Sequence, residues 1–370
     1  MLHLLFDSAD LRTRKNSVIG ELVWSYAKEN RTFNAGYRGA FGFLRSDLSG
    51  SGVTNVRTGR QRLYGEYSSR HGSFSYRVSL GAENNMKAGD DGFSRFAFSP
   101  TVLLSYRLNK RNMLRLRLDS ETSMPDIQQM SGNRILIMEN FYRRGNAEVH
   151  NSTGYQSRLI YSYNIPRKLI VQTDAHYNRT AGFLYDAFVQ DGDAWYLETR
   201  NAHRFSEAGM NMIVTYIPWK WLRLGVDVSA DRQTIKETSS GEAFSDWFFP
   251  VYLNASAVWG NWSLSCRQTF GGKMLDGLYR KGLEKVSYLS LTYGWKNWQF
   301  GAQCLFPLYD DKFSNETVSF APVRHVTQTN LRTKNREFGF TISWFFQRGK
   351  ENHSAKSLEN SDVDSGVFRF

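Results

Sequence analysis

The chain has 370 residues, of which 41% are hydrophobic, 15% aromatic and 22% charged, and its formal net charge is +12. This apolar content excludes a disordered chain, because enough hydrophobic surface is present to drive folding. The Lys and Arg residues are scattered without a dense basic run or a recognition-helix pattern, so no nucleic-acid partner is expected despite the positive charge.

The N-terminal residues "MLHLLFDSADLRTRK" make a poor signal peptide, because the apolar run is short and the positive charge follows it. Further along, apolar and polar residues alternate. In "FSYRVSLGA", Phe74, Tyr76 and Val78 share one face of a strand, and Ser75 and Arg77 share the other. The same pattern occurs in "LRLRLD", "LIVQTDAHYN", "WLRLGVDVSAD" and "FGFTISWFF". The pattern predicts strands with one apolar and one polar face.

Short turns and long polar connections then alternate between these strands. The short turns are predicted at Lys28–Asn30, His71–Gly72, Asn109–Arg111, Pro166–Arg167, Pro218–Trp219, Gly260–Asn261 and Lys296–Asn297. The long connections are predicted near 44–57, 86–94, 124–149, 181–204, 236–245, 274–283 and 309–333. A tight hairpin turn fixes strand pairing, so this alternation predicts an up-and-down antiparallel sheet with all short turns at one end. With a last strand at 334–346, the count is fifteen strands, most of them about 11–14 residues long, which exceeds the usual soluble strand.

Large aromatic residues cluster near the short turns and on the apolar strand faces. Trp and Tyr prefer the boundary between lipid and water, and transmembrane barrels carry aromatic girdles at both interfaces. We therefore predict a membrane-interface girdle, formed by Trp24, Tyr26, Tyr106, Tyr163, Tyr216, Trp259, Trp262, Trp295, Trp298 and Trp344. The predicted fold is an all-β transmembrane antiparallel barrel with short periplasmic turns and long extracellular loops. A soluble sandwich is the alternative that periodicity alone leaves open.

Charged residues occupy the polar strand faces, where a large barrel has a water-filled or plugged lumen. The candidate ligand-binding residues of the lumen and loops are Arg115, Arg117, Asp174, Arg223, Asp227 and Trp195. Trp195 comes from "GDAWYL", where an aromatic cluster borders a long connection and either contacts ligand or forms the rim of a hairpin.

No catalytic, metal or cofactor site is predicted. His176 and His203 lie on different segments without ligand spacing, and the two cysteines, Cys266 and Cys304, are interpreted as small apolar side chains. No nucleophile elbow and no Ser–His–Asp set stand out, so the protein is not expected to be an enzyme.

Residues 96–165 carry a family resemblance. A Pro-x-Ile-x-Gln element at Pro125, Ile127 and Gln129 precedes "RGN" at Arg144–Asn146 and a Tyr-rich strand. This arrangement resembles the barrel of Bacteroidetes TonB-dependent receptors, in the group with an outer-membrane β-barrel domain. Ala147 and Val149 depart from the family pattern, in which Pro follows Gly-Asn and Leu stands two residues further on. The tail "NSDVDSGVFRF" also resembles the C-terminal ending of that group.

The resemblance implies energised nutrient import across the outer membrane through a 22-stranded barrel blocked by an N-terminal plug. It implies contact with outer-membrane lipid and lipopolysaccharide, with TonB, with a surface lipoprotein and with a small nutrient ligand. We expect residues 1–346 to be a barrel domain without the plug and first strands, and residues 347–370 to be a polar periplasmic tail. On this basis the chain is expected to be the C-terminal portion of a receptor.

Two other functions stay open at this point. One is an outer-membrane barrel enzyme of the lipase or protease type, which needs a nucleophile and a base near the rim. The other is a surface β-protein for adhesion.

Overall fold

The computed structural model describes residues 11–48, 52–88, 93–130, 134–277, 279–283, 286–305, 312–317, 326–330 and 336–346. The tail expected at 347–370 lies outside these residues. The strands are β1 (Leu11–Lys28), β2 (Arg31–Leu48), β3 (Gly52–His71), β4 (Phe74–Ala88), β5 (Phe93–Arg107), β6 (Asn112–Ser123), β7 (Arg134–Met138), β8 (Phe141–Arg144), β9 (Ser152–Ile165), β10 (Leu169–Asp191), β11 (Ala194–Trp219), β12 (Leu222–Lys236), β13 (Ala243–Phe248), β14 (Val251–Trp259), β15 (Trp262–Phe270), β16 (Lys273–Asp276), β17 (Tyr279–Gly282), β18 (Ser287–Trp295), β19 (Trp298–Leu305), β20 (Lys312–Thr317), β21 (Val326–Asn330) and β22 (Glu337–Trp344). One short helix, α1 (Ile127–Met130), follows β6.

One 18-stranded sheet dominates the structure. Fifteen of its strands pair antiparallel with their neighbours in up-and-down order, from β1 through β6, then β9 to β12, β14, β15, β18, β19 and β22. The predicted fold and the count of fifteen strands are confirmed for the described residues. A separate 4-stranded sheet contains β16, β17, β20 and β21.

Short turns lie at one end of the sheet, as predicted, and six of them are at or within one residue of their predicted positions. Several adopt left-handed backbone: Gly72 and Gly260 both have φ of 55° and Lys296 has φ of 51°. The exception is the turn predicted at Pro218–Trp219, because the pairing of β11 with β12 shifts between Tyr216 and Trp219. Proline is tolerated at such a bulge, and the turn itself falls two residues later, after Trp219.

The long connections differ from the prediction, because much of their length is strand. The segment predicted as a loop at 181–204 continues β10 and β11 as one hairpin whose tip lies between Asp191 and Ala194. These two strands have 23 and 26 residues, well above the predicted length. Beyond Ala181, the hairpin has no further pairing with β9 among the described residues, so it extends past the neighbouring strand.

The hydrophobic core lies at this extended end. Tyr185, Ala187, Ala202, Ile235 and Leu275 are buried together, and Phe183, Phe205 and Phe244 pack against them. The hairpin of β7 and β8 lies beside this end, because β8 pairs in parallel with β11 and Phe141 stacks on Phe188. The rest of the large sheet has its apolar side chains mostly exposed. In the membrane, lipid is what covers such a surface.

All ten residues of the predicted girdle point to the apolar face of the sheet, called the outer face below. Their register partners place them near the short turns, as in the pairs Trp259 with Trp262 and Trp295 with Trp298. Nine are exposed, and Tyr163 is half-buried. Their interfacial role stays a prediction.

The two outermost strands are β1 and β22. Among the described residues, no hydrogen-bond ladder joins them, and the outer faces of both carry strongly exposed apolar side chains such as Leu22 and Phe340. Within the described ranges no helix has the length and apolar character needed to span a bilayer.

The outer face yields the first test. Val226 lies on the outer face of β12, whereas Ser229 lies on the opposite face and is register partner of Asn211. We expect Val226→Arg to lower the free energy of unfolding by about 2–4 kcal/mol near the bilayer midplane, because an arginine there enters hydrocarbon. The measurement is urea unfolding in liposomes. The control Ser229→Arg keeps its charge out of lipid, so an equal loss in both variants would contradict the assignment of faces.

Candidate functional site

The polar face of the large sheet, called the inner face below, carries the candidate site. The ladder register aligns the inner residues of neighbouring strands in rows. One row runs from Arg117 on β6 through Arg158, His176 and Gly209 to Asp231 on β12. Predicted residues Arg115, Arg117, Asp174, Arg223 and Asp227 all lie on this face.

His176 is the centre of a buried charge cluster. Its Nδ1 lies 3.2 Å from Asp174 Oδ1, and its Nε2 lies 3.1 Å from Asp231 Oδ1 and 3.6 Å from Glu207 Oε1. The Asp174 side chain is only 4% exposed and also receives Arg158 Nε at 3.5 Å. Three carboxylates therefore share one imidazole and one guanidinium inside the sheet.

Gly209 makes this cluster possible. It stands between His176 and Asp231 in the row, on the strand that separates them. A Cβ atom at Gly209 would lie 1.9 Å from Asp231 Oδ1 and 2.7 Å from the Ala230 carbonyl oxygen. The absent side chain thus leaves the space through which the Asp231 carboxylate reaches His176.

Gln233 connects the cluster to the extended end of the molecule. Its Nε2 donates to Glu207 Oε2 at 2.8 Å, and its Oε1 accepts from the backbone N–H of Leu275 at 2.7 Å. Leu275 belongs to the hydrophobic core, so one buried amide side chain joins the inner-face charges to that core. Asn178 also donates to Glu207, at 3.1 Å, which satisfies the other carboxylate oxygen.

A cavity of about 560 Å³ opens on the inner face between β11 and β19. Arg223, Asp227 and Arg267 line it, together with Asn254 and hydroxyl-bearing side chains from neighbouring strands. Two of the predicted residues, Arg223 and Asp227, are therefore brought together. Arg267 lies over the Tyr252 ring at 5.5 Å.

The other predicted residues lie elsewhere. Arg117 pairs with Asp119, at 2.8 Å from Nε to Oδ1, and the Nε of Arg115 is buried without a hydrogen-bond partner among the described residues. Asp174 belongs to the histidine cluster. Trp195 lies near the tip of the β10–β11 hairpin, where its backbone N–H donates to Asn140 O at 2.8 Å. The structure thus does not bring Trp195 together with the inner-face residues.

Around Trp195, the two hairpins are joined by charge and aromatic contacts. Arg144 Nε contacts Glu198 Oε2 at 2.6 Å, and its guanidinium lies 4.0 Å from the centre of the Tyr196 ring. Arg143 reaches Asp186 at 2.9 Å. These contacts hold β8 against β11 and leave the hairpins locked together.

Two tyrosines at this end stay protonated well above neutral pH. Burial raises the pKa of Tyr279 to about 12, and the charge of Asp186 adds to the rise. Burial also raises the pKa of Tyr185, whose hydroxyl donates to the Glu237 carboxylate. Both hydroxyls are therefore neutral hydrogen-bond donors under physiological conditions.

The histidine cluster is not arranged for hydrolysis. Both ring nitrogens of His176 face carboxylates, so neither is directed at a hydroxyl or thiol nucleophile. Within the described residues, no group of His, Cys, Asp and Glu side chains is arranged to hold a metal ion.

Sequence patterns gave His176 no ligand spacing and did not single out Asp231 or Arg267 as site residues. What singles them out is the row register and the gap at Gly209, neither of which a single strand reveals.

The sequence of the chain matches a protein-family model. The model described as "Outer membrane protein beta-barrel family" matches residues 26–344, which is most of the chain. The chain belongs to this outer-membrane β-barrel family. The family and the fold together identify a protein of the cell outer membrane. No curated protein matches the chain.

Solved structures are similar in fold to this family member. The siderophore receptor PirA from Pseudomonas aeruginosa is 13% identical, with a TM-score of 0.64 over 91% of this chain and 57% of that one. The copper transporter OprC is 12% identical, with a TM-score of 0.67 over 91% of this chain and 59% of that one. The FrpB iron transporter from Neisseria meningitidis is 11% identical, with a TM-score of 0.59 over 79% and 50%. The chain thus spans only part of the length of these proteins.

The gap at Gly209 gives a second test. We expect Gly209→Ala to lower the free energy of unfolding by about 1–3 kcal/mol, because the new methyl group forces the Asp231 carboxylate and the strand apart. Urea unfolding in micelles measures the change. Gly225→Ala is the control, since its Cβ would lie no closer than 3.4 Å to Asn254, and we expect a small effect there. Equal losses would contradict the role of Gly209.

Gln233 gives a third test. Gln233→Met removes the acceptor of the Leu275 amide, and a buried unsatisfied N–H costs about 1–3 kcal/mol. We expect faster hydrogen exchange at that amide, measured by mass spectrometry in micelles. Asn178→Leu also removes a donor from Glu207 but leaves the Leu275 acceptor in place, so its amide should stay protected. Protection in both variants would contradict the proposed link.

Proposed function

We propose that this chain forms the wall of an outer-membrane receptor and transporter that takes up a small nutrient. The polar inner face carries the proposal. A sheet whose outer face is adapted to lipid has, on its other side, a wall of charged groups and a cavity of about 560 Å³. A surface of this kind provides polar contacts for a solute that the hydrocarbon layer excludes.

The similar structures support the transport proposal without identifying the cargo. They are described as a siderophore receptor, a copper transporter and an iron transporter. Because the identities lie at 11–13%, the likeness concerns fold, and we do not transfer any of these ligands to the present chain.

The partners of the proposed receptor follow from the family resemblance. We expect outer-membrane lipid and lipopolysaccharide around the outer face, and TonB as the source of energy for uptake. A surface lipoprotein that delivers the nutrient is a further expected partner.

The two alternatives have less support. The similar solved structures are described as receptors and transporters, which favours a non-enzymatic role over a lipase or protease. Both nitrogens of the buried His176 also face carboxylates. An adhesion protein gives no reason for charged groups on the inner face, because adhesion uses the outermost surface. We therefore propose a non-enzymatic role in transport.

A deletion strain tests the proposal. The strain lacking the gene is grown with iron, copper or a single carbon source as the limiting nutrient. We expect slower growth under one of these limits, restored by the wild-type gene but not by a Gly225→Trp allele, whose side chain enters the cavity. Cell fractionation checks that both proteins reach the outer membrane in equal amounts.

Two outcomes would contradict the proposal. One is recovery of the wild-type protein in the soluble fraction without detergent. The other is full rescue by the Gly225→Trp allele wherever the wild-type gene rescues, because uptake would then not depend on the inner cavity.

A further inference from the structure

The cavity on the inner face has an unusual charge arrangement. Arg223 comes from β12 and Arg267 from β15, with β14 between them. Two strand spacings and an offset of two residues along the strands separate their backbones by about 12 Å. Both side chains lie on the inner face, and both line the same cavity.

The two arginines are not neutralised by ion pairs with described residues of the protein. In the part of the chain that the structure describes, neither Arg223 nor Arg267 forms a salt bridge. Arg267 lies over the Tyr252 ring, a contact that leaves the N–H groups at the guanidinium edge available. Asp227 is within electrostatic reach of Arg267 without forming an ion pair in these ranges. The residues that line the cavity thus include two cations and one anion. Asp174 also acts on Asp227 from beyond the cavity, but it has Arg158 Nε at 3.5 Å.

The neighbouring polar groups are small hydrogen-bonding side chains. Ser256 and Ser265 stand in the row of Arg223, and Asn254 and Tyr288 stand in the row of Arg267. Gly225 lies on the inner face beside Asn254, and its missing side chain leaves room between Arg223 and Asp227. A volume of about 560 Å³ falls in the ordinary range for small-molecule pockets.

We infer that this cavity binds a small oxyanion that also carries hydroxyl groups. Arg223 and Arg267 donate charge-assisted hydrogen bonds to a carboxylate or phosphate group of the ligand, since planar guanidinium groups match the geometry of such oxygens. Asp227 accepts a hydrogen bond from a ligand hydroxyl, and Asn254, Ser256, Ser265 and Tyr288 bind the remaining oxygens. Sugar acids and sugar phosphates share this chemistry.

The inference rests on the proposed transport function, because it names the chemical class of the solute at the inner wall. A neutral sugar leaves both arginines without their anion. A cationic sugar is repelled by the excess positive charge.

Isothermal titration calorimetry of the full chain in detergent micelles tests the inference. The probes are D-glucuronate, glucose 6-phosphate, D-glucose and D-glucosamine. We expect the two anions to bind roughly tenfold or more tightly than glucose, with no measurable binding of glucosamine. A preference for one anion identifies the group, carboxylate or phosphate, that the site favours.

Three variants localise the binding. Arg223→Gln combined with Arg267→Gln should weaken glucuronate and glucose 6-phosphate roughly tenfold to a hundredfold, because charge-assisted hydrogen bonds are lost. Gly225→Trp should abolish binding by filling the cavity. Arg77→Gln is the matched control: Arg77 also lies on the inner face, but on β4, with Glu66 at 3.8 Å, and binding should be unchanged.

The inference would be overturned if neither glucuronate nor glucose 6-phosphate bound more tightly than glucose. Loss of binding in Arg77→Gln as large as in the double variant would also overturn it, since the effect would then be general to the wall. The growth experiment with the deletion strain is independent of these probes. If nutrient uptake is confirmed there and no anion binds here, the inference about ligand class fails while the transport proposal stands.

Discussion

The structure depends on one constraint: inside a bilayer, every backbone N–H and C=O must find its partner within the protein. Antiparallel strands meet this need through their ladders, and the ladder forces successive side chains to opposite sides. One side of each strand therefore meets hydrocarbon and the other does not. The exposed outer face of β22, with Phe338, Phe340 and Ile342, and the opposite face with Thr341 and Ser343 follow directly from this division.

The same ladders also bring the functional side chains of the inner face together. Because strands in a ladder are held in fixed register, residues far apart in sequence come to lie in one row. His176 meets Asp231 across a glycine, and Arg223 and Arg267 flank one cavity across β14. The buried groups of this face, such as Asp174 and His176, interact in surroundings of lower polarity than bulk water, so their contacts have a larger energetic effect than those of the exposed arginines. The carboxylates of the histidine cluster lie against groups of the protein itself, whereas the arginines of the cavity form no salt bridge within the described residues.

The fold was predictable wherever one strand face meets an apolar medium and the other a polar one, because the period of two is then visible. This holds for Phe74–Ala82 and for Leu222–Ala230. It fails for the hairpin at 182–203, where Ala187 and Phe188 are consecutive and both buried, as are Glu198 and Thr199. Neighbouring hairpins cover both faces there, so the alternation disappears and the segment looks like a loop. The site was predictable only in part. Periodicity gives the face on which Arg223 and Asp227 lie, but not which residues of the neighbouring strands stand beside them. That alignment depends on the strand register, which the turns set.

The small core around Tyr185, Ile235 and Leu275 has a consequence for handling the protein. This end of the molecule is stabilised by burial of its own apolar side chains. The large sheet instead needs lipid or detergent to cover the apolar side chains of its outer face. Extraction with a harsh detergent should therefore disturb the large sheet more than the hydrophobic core around Tyr185, Ile235 and Leu275. A purified sample can thus retain a native exterior epitope after its transmembrane portion has lost its native arrangement.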